Sequence, residues 1–358
     1  SNSYLYCMED KSIYDLWALL ISRKSAGTAR SYADALNRFT KDNGERVQWN
    51  DIDADFVRKW RQKMLSVLSR TTTNIYLRSL SALLNVAFKE NYLSIAPREL
   101  FQGLGIFSPT ASNSRKSCYI PRRMWYELWE FYQTKGKSVF TTESEEQKSL
   151  CVESAGLMLF MYLAGGMNLR DLCLLRYNRF YFQSGATQFQ FCRHKTAERT
   201  EMFVELPILP EMHTILSRLA NQPKEGKLVF PYMISGVGNE EKEHTITMNI
   251  GSMIRKRMKV VAQLLNWPVI PTPSFATNLI QAGVPKEYVS WAMAHASSDV
   301  TSRYIAAYSF EQTVEFHSLL LYPKQTTDHL MSQIEMLKSE EQWQLLQELQ
   351  EYLQTKKE

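Results

Sequence analysis

The stretch from Ala276 to Ser309, ATNLIQAGVPKEYVSWAMAHASSDVTSRYIAAYS, decides how this chain is read, because His295 precedes Tyr304 by nine residues with two serines between them. Over nine residues a continuous helix turns by roughly 900° at about 3.6 residues per turn, which puts the two side chains on opposite faces. They converge only if the chain turns between them. Ser297 and Ser298 are candidates for that turn: either is suited to cap a new helix carrying Tyr304, with Asp299 favourable in its first turn. Just upstream, Gly283 ends one helix and Pro285 starts the next, on which Tyr288, Trp291 and Ala292 form an apolar side.

Composition bounds the rest. A chain of 358 residues is expected to hold two or three domains. Hydrophobic residues make up 44% of it, enough for a sizeable core. No apolar run reaches the roughly 18 residues of a membrane span. The start, SNSYLYCMEDKS, is polar and has no signal-peptide core. Five cysteines, Cys7, Cys118, Cys151, Cys173 and Cys192, are scattered without CxxC spacing. That usage argues for a reducing compartment and against a structural metal, so the expected setting is cytoplasmic. The net charge of +5 understates the basic body: the tail from Lys324 onward carries four lysines against seven acidic residues, leaving the remainder at +8. Such a balance is compatible with nucleic acid and does not single it out.

The amino-terminal third reads as helical. Ile13, Leu16, Trp17, Leu19 and Leu20 fall at helical spacing within 12–22, and Tyr32, Ala35, Leu36 and Phe39 within 28–39. Two further helices are expected near 53–68 and over 71–90, the latter with an apolar stripe of Ile75, Leu80, Leu83, Leu84 and Phe88. Its other side offers Arg70, Thr72, Thr73, Asn74 and Arg78, groups of the kind that contact phosphates. An ordinary solvated helix face accounts for the same residues. From 104 to 122 the composition shifts to a Ser-, Gly- and Pro-rich basic segment that reads as a linker.

Beyond it, helices are expected over 121–134 and 146–163, the second ending at Gly165 and Gly166. Asn168 is then placed to cap the short helix LRDLCLLRY, with Asp171 and Arg170 in its first turn. Phe180 to Leu206 is the β stretch: Phe189, Phe191, Met202, Val204 and Leu206 alternate with polar residues on either side of HKTAERT, a hairpin or three-stranded sheet with Lys195 near its tip. Helices resume over 210–220 and 247–267, the second carrying Arg255, Lys256, Arg257 and Lys259. The tail over 327–357 sets Leu330, Ile334, Leu337, Leu345, Leu346, Leu349 and Leu353 on one side of an acidic amphipathic helix, suited to docking on this chain or on a second copy.

In order, these features resemble the tyrosine recombinase (phage integrase) family: a helical amino-terminal domain, a basic linker, GGMNLRDLCLLRY, a hairpin with RHKTAERT, and the FATNL to RY stretch. The resemblance covers about residues 10 to 322. The fold it implies is mainly α with a small antiparallel β-sheet. A helical core-binding domain over 1–103 and a linker over 104–122 would precede a catalytic domain over 123–323 and a carboxy-terminal helix over 324–358. In the family the two domains clamp DNA, and the last helix often packs on the next protomer of a tetramer.

The implied activity is site-specific DNA strand cleavage and rejoining. Tyr304 would be the nucleophile that forms a 3′-phosphotyrosyl link, Lys195 the acid for the leaving 5′-oxygen, and His295 a hydrogen-bond donor to the scissile phosphate. The bond energy is retained, so no cofactor is implied. Duplex DNA is the implied partner, met by Arg70, Thr72, Asn74, Arg78, Arg255 and Arg257.

Two departures stand out. Where the family places its first arginine, in G-x-R-xx-E, this chain has Asn168, so Arg170 or Arg176 would have to supply that cation. Where the family's HxxRH box precedes FAT, this chain has Val269 and Thr272 in WPVIPTPSFATNL, a join that looks like a short internal deletion. Threonine offers one neutral hydroxyl where a guanidinium offers a charged fork, and losing such a transition-state contact costs about 3 to 4 kcal/mol. Three readings follow: an active recombinase, a DNA-binding protein that recognises a recombination site without cutting it, and a helical regulator with a coincidental His-to-Tyr spacing.

Overall fold

The computed structural model describes residues 10–108, 120–193, 203–268, 274–294, 308–321, 334–335 and 337–355. It is mostly helical, with one two-stranded antiparallel sheet among the described residues. The chain divides into two compact units, one of Ser1–Lys116 with Ile234–Met248, the other of Ser117–Met233 with Asn249–Glu358.

The first unit is built on α1 (Ile13–Ser22), α2 (Ala26–Asn43), α3 (Ala54–Leu65), α4 (Arg70–Lys89) and the short α5 (Pro97–Leu100). Three of the starts are capped by side chains: Ser12 accepts from the amide of Asp15, Asp53 from Phe56 and Ser69 from Thr72. Phe39 of α2 lies at the centre, its ring 5.3 Å from Trp17 and 5.2 Å from Trp60. The buried indole of Trp17 donates to Ser79 Oγ.

On α4 the buried residues include Leu77, Leu80, Leu83, Leu84 and Ala87. Ile75 and Phe88, expected in the apolar stripe, are 40% and 39% exposed. At about 100° per residue Ile75 falls on the side away from Leu77, Leu80, Leu84 and Ala87, whereas Phe88 falls near their line and is exposed in the last turn of the helix. The core also takes in Leu104 and Ile106, so the segment read as linker begins as packed structure.

In the second unit α6 (Arg122–Gln133) packs on α7 (Glu145–Leu163). The rings of Trp125 and Tyr162 stack at 4.0 Å across that contact. The carboxy-terminal half of α7 is buried on every side, from Ser154 to Leu163. Two short helices follow, α8 (Leu169–Leu174) and α9 (Arg179–Gln183), then β1 (Gln188–Cys192) and β2 (Phe203–Pro207). Phe180, expected at the start of the β stretch, sits in α9 because Asn178 accepts from the amide of Tyr181 and starts a helix there. The strands pair antiparallel with Phe189 opposite Leu206 and Phe191 opposite Val204, and all four side chains are buried.

The chain continues with α10 (Pro210–Leu219), α11 (Glu240–Leu264), of which the residues up to Met248 belong to the first unit, α12 (Phe275–Gln281), α13 (Lys286–Ala292), α14 (Phe310–Ser318) and α15 (Ser339–Thr355). Helix α11 starts seven residues before the expected Thr247. Glu240, Glu241 and Glu243 occupy its first turn, where negative charge favours helix. Both α13 and α14 pack on β2. Helix α15 leaves Trp343, Leu346, Leu349, Tyr352 and Leu353 44–69% exposed.

Candidate functional site

The buried end of α7 fixes the starting point. After the cap residue Ala164 the chain reverses through Gly165 and Gly166, both left-handed at φ 75° and 66°. A Cβ on Gly165 would sit 2.9 Å from the carbonyl oxygen of Ala292, and one on Gly166 would sit 3.3 Å from Cβ of Phe275. Glycine is needed here for its backbone conformation, and at Gly165 also for the close approach of α13.

Asn168 closes the turn by capping α8. Its Oδ1 accepts from the amide of Asp171 at 2.9 Å, and its Nδ2 donates to the Asp171 carboxylate at 2.7 Å. The expected cap is therefore observed. Arg170 lies half-buried in the first turn of α8. Arg176 spends one guanidinium nitrogen on the carbonyl of Gly226, at 2.6 Å.

Arg193, immediately after β1, is only 8% exposed. Its Nη2 donates to the carbonyl oxygen of Gly165 at 2.7 Å and to that of Ala292 at 3.3 Å. Burial pushes its pKa down, and the negative charge of Asp171 opposes that shift.

Helix α12 is held from behind by buried polar groups. Ser274 Oγ accepts from the amide of Ile120 at 3.2 Å. Asn278 donates to the carbonyl of Ile120 and to Tyr162 Oη, and Tyr162 passes the chain on to the carbonyl of Leu320. Beyond Gly283 at φ 89°, α13 runs to Ala292 and the chain turns at Ala294, which is left-handed at φ 52° and buried.

His317 of α14 is fully buried between these parts. Its Nδ1 lies 3.0 Å from the carbonyl of Leu163, so it is the donor there, and its Nε2 accepts from Tyr288 Oη at 2.7 Å. Burial lowers its pKa to about 4, so the ring is neutral at pH 7.

The described residues thus bring together the α7–α8 turn, the end of β1 and the end of α13. Lys195, His295 and Tyr304 lie outside them, as do Val269 and Thr272. Of the residues expected on DNA, Arg70 and Arg255 are exposed, and Arg257 is half-buried. Thr72 shares a 3.0 Å hydrogen bond with the capping Ser69. Arg78 donates through Nε to the carbonyl of Ile106 at 2.6 Å, with its guanidinium near the Phe107 ring. Asn74 is corrected: it is 2% exposed, so its amide is not open to a phosphate backbone.

Sequence reasoning missed Arg193, Asn278 and His317. Asn278 had a signal, since it lies three residues after Phe275 and one before Leu279 on the apolar side of its helix. His317 had one too, four residues after the buried Thr313 and three before Leu320. Arg193 had none, because a basic residue at a strand end ordinarily points to solvent.

Among the described residues no cluster of His, Cys, Asp and Glu is placed to hold a metal ion, and no helix is long and apolar enough to cross a membrane. Residues 13–102 match the phage integrase SAM-like domain. A search of curated protein sequences finds no significant match. Among solved structures, the Tn1549 transposon integrase in complex with transposon right end DNA aligns with a TM-score of 0.54 at 16% identity, over 91% of this chain and 99% of that one. The same integrase in complex with circular intermediate DNA aligns with a TM-score of 0.53 at 16% identity, over 92% and 100%. Over residues 13–102 this chain is therefore similar to the phage integrase SAM-like domain, and as a whole it shares the fold of the Tn1549 transposon integrase.

Proposed function

We propose that this chain is a site-specific DNA recombinase of the integrase type, which cleaves and rejoins DNA strands through a 3′-phosphotyrosyl intermediate on Tyr304. The observation that carries the reading is the meeting of the α7–α8 turn, the end of β1 and the end of α13 around Arg193. These segments lead in sequence into Arg170, Lys195 and His295.

In the reaction the phenolic oxygen of Tyr304 attacks the scissile phosphorus and the bond to the 5′-oxygen breaks. Lys195 gives that oxygen its proton, while His295 and Arg170 stabilise charge on the phosphate. Attack of a 5′-hydroxyl on the phosphotyrosyl link reverses the step and returns the phenol, so one phosphodiester is exchanged for another.

The amino-terminal domain binds duplex DNA through Arg70, Thr72 and Arg78, with Arg255 and Arg257 adding contacts from α11. The linker and catalytic domain follow it as in the family. Helix α15, with its open apolar face, docks in trans within a tetramer on DNA.

A second reading, a protein that binds a recombination site without cutting it, is favoured by Val269 and Thr272 in the slots of the family's HxxR histidine and arginine. Nicked suicide duplexes built from the sequences flanking the chain's own coding region separate the two. The recombinase reading expects a covalent protein–DNA adduct that is lost in Tyr304→Phe. Salt-sensitive binding with no adduct favours the second reading, and binding that does not weaken with salt removes both.

A further inference from the structure

Two helix ends converge on one buried guanidinium. The carbonyl of Ala292 closes α13, and that of Gly165 lies just past the end of α7, so both belong to chain reversals where carbonyls lack intrahelical partners. The negative ends of two helix dipoles meet there, and a cation is the group that suits them. Arg193 supplies it through a single nitrogen shared by both oxygens, 8% exposed, with the carboxylate of Asp171 adding opposite charge.

Two of the groups around this guanidinium are themselves fixed. Gly165 has no room for a Cβ against the Ala292 oxygen, and Asp171 is itself tied to Asn168, the cap of α8. One side chain therefore joins β1, the α7–α8 turn and α13.

Resting on the recombinase reading above, we infer that Arg193 is a positioning residue. It locks the spacing of the three chain segments that lead into Lys195, Arg170 and His295, which stand two residues after Arg193, five after Gly165 and three after Ala292. The guanidinium acts on backbone carbonyls and not on the substrate. Lysine is an incomplete substitute: its ammonium can donate to carbonyls, but the shorter, differently shaped head does not reproduce the guanidinium's fixed geometry.

The test uses the full chain with Arg193→Gln and Arg193→Lys. Hydrogen–deuterium exchange, which needs no activity, comes first. In Arg193→Gln, amides over 165–171 and 290–294 should exchange about tenfold faster or more, while the α6–α7 core keeps its protection. Unchanged exchange at both sites overturns the clamp, whatever the enzyme does.

Cleavage is then compared on nicked duplexes from the flanking sequences, with the scissile 5′-oxygen either natural or replaced by sulfur. A thiolate departs without a proton donor, so it bypasses the acid. Arg193→Gln should slow single-turnover cleavage of the oxygen substrate by about a hundredfold and that of the sulfur substrate by a smaller factor, the part owed to Arg170 and His295, at unchanged DNA affinity. Arg193→Lys should fall between Gln and wild type on oxygen. Oxygen-substrate cleavage within about twofold of wild type despite loosened exchange, or a matching loss of DNA affinity, would overturn the inference. A wild-type chain that cleaves neither substrate counts against the recombinase reading alone, and the exchange result still decides the clamp.

Discussion

Two turns in the second unit face the same geometric demand and meet it differently. After α7 the chain reverses through glycine twice, at φ 75° and 66°; after α13 it reverses through Ala294, at φ 52°. Glycine takes the left-handed conformation without steric cost, whereas alanine pays roughly 1–2 kcal/mol for it. The first turn is thus relaxed, and the second is held by its surroundings. Strain at this point sits immediately before His295 in the chain.

The largest effect is expected where the relaxed turn loses its glycine. Gly165→Ala adds left-handed strain to a 2.9 Å clash with the Ala292 oxygen and should cost about 3 kcal/mol in chemical denaturation. A loss below about 1 kcal/mol would mean that the two turns are free to move apart.

His317 bridges both regions, from the end of α7 to Tyr288 on α13, and makes their union dependent on pH. Its folded pKa is about 4 against about 6.5 in the unfolded chain, so the unfolded state takes up the proton first. Stability from this site is complete above about pH 6.5 and falls as pH drops toward 4, by about 3 kcal/mol in all. Denaturation midpoints across that window should flatten in His317→Gln; an equally steep profile in the variant would assign the dependence to other groups.

Asn168→Ala removes the cap of α8 and should cost about 1 kcal/mol, while Asn168→Asp, which keeps an acceptor for the Asp171 amide but places two carboxylates together, should recover only part of it. The smallest change runs the other way. Ala294→Gly should stabilise by about 0.5–1 kcal/mol, the relief of left-handed strain less the added freedom of the unfolded chain. A destabilising Ala294→Gly would show that the Cβ, buried as it is, contributes more by packing than its backbone costs.

What could be read from the sequence follows from how local each signal is. The cap at Asn168, the double glycine and the breaks at Gly283 and Pro285 are set within a few residues, and they stand in the structure as read. The alternation of Phe189 and Phe191 against Val204 and Leu206 was equally legible, although Asn178 diverts Phe180 into a helix. Burial of Leu104 and Ile106 was hidden by polar neighbours, and the early start of α11 by a run of glutamates that reads as solvent-facing. At the site the partners are distant in sequence. Arg193 meets Ala292 across 99 residues and His317 meets Leu163 across 154, and no periodicity reports such contacts.

The central claim, strand transfer through Tyr304, is tested most directly by locating the covalent bond. Protein trapped on a nicked suicide duplex is digested with nuclease and protease, and the peptide that carries the residual nucleotide is sequenced by mass spectrometry. The account predicts a phosphodiester on Tyr304; a nucleotide on any other of the 18 tyrosines, or on none, contradicts it.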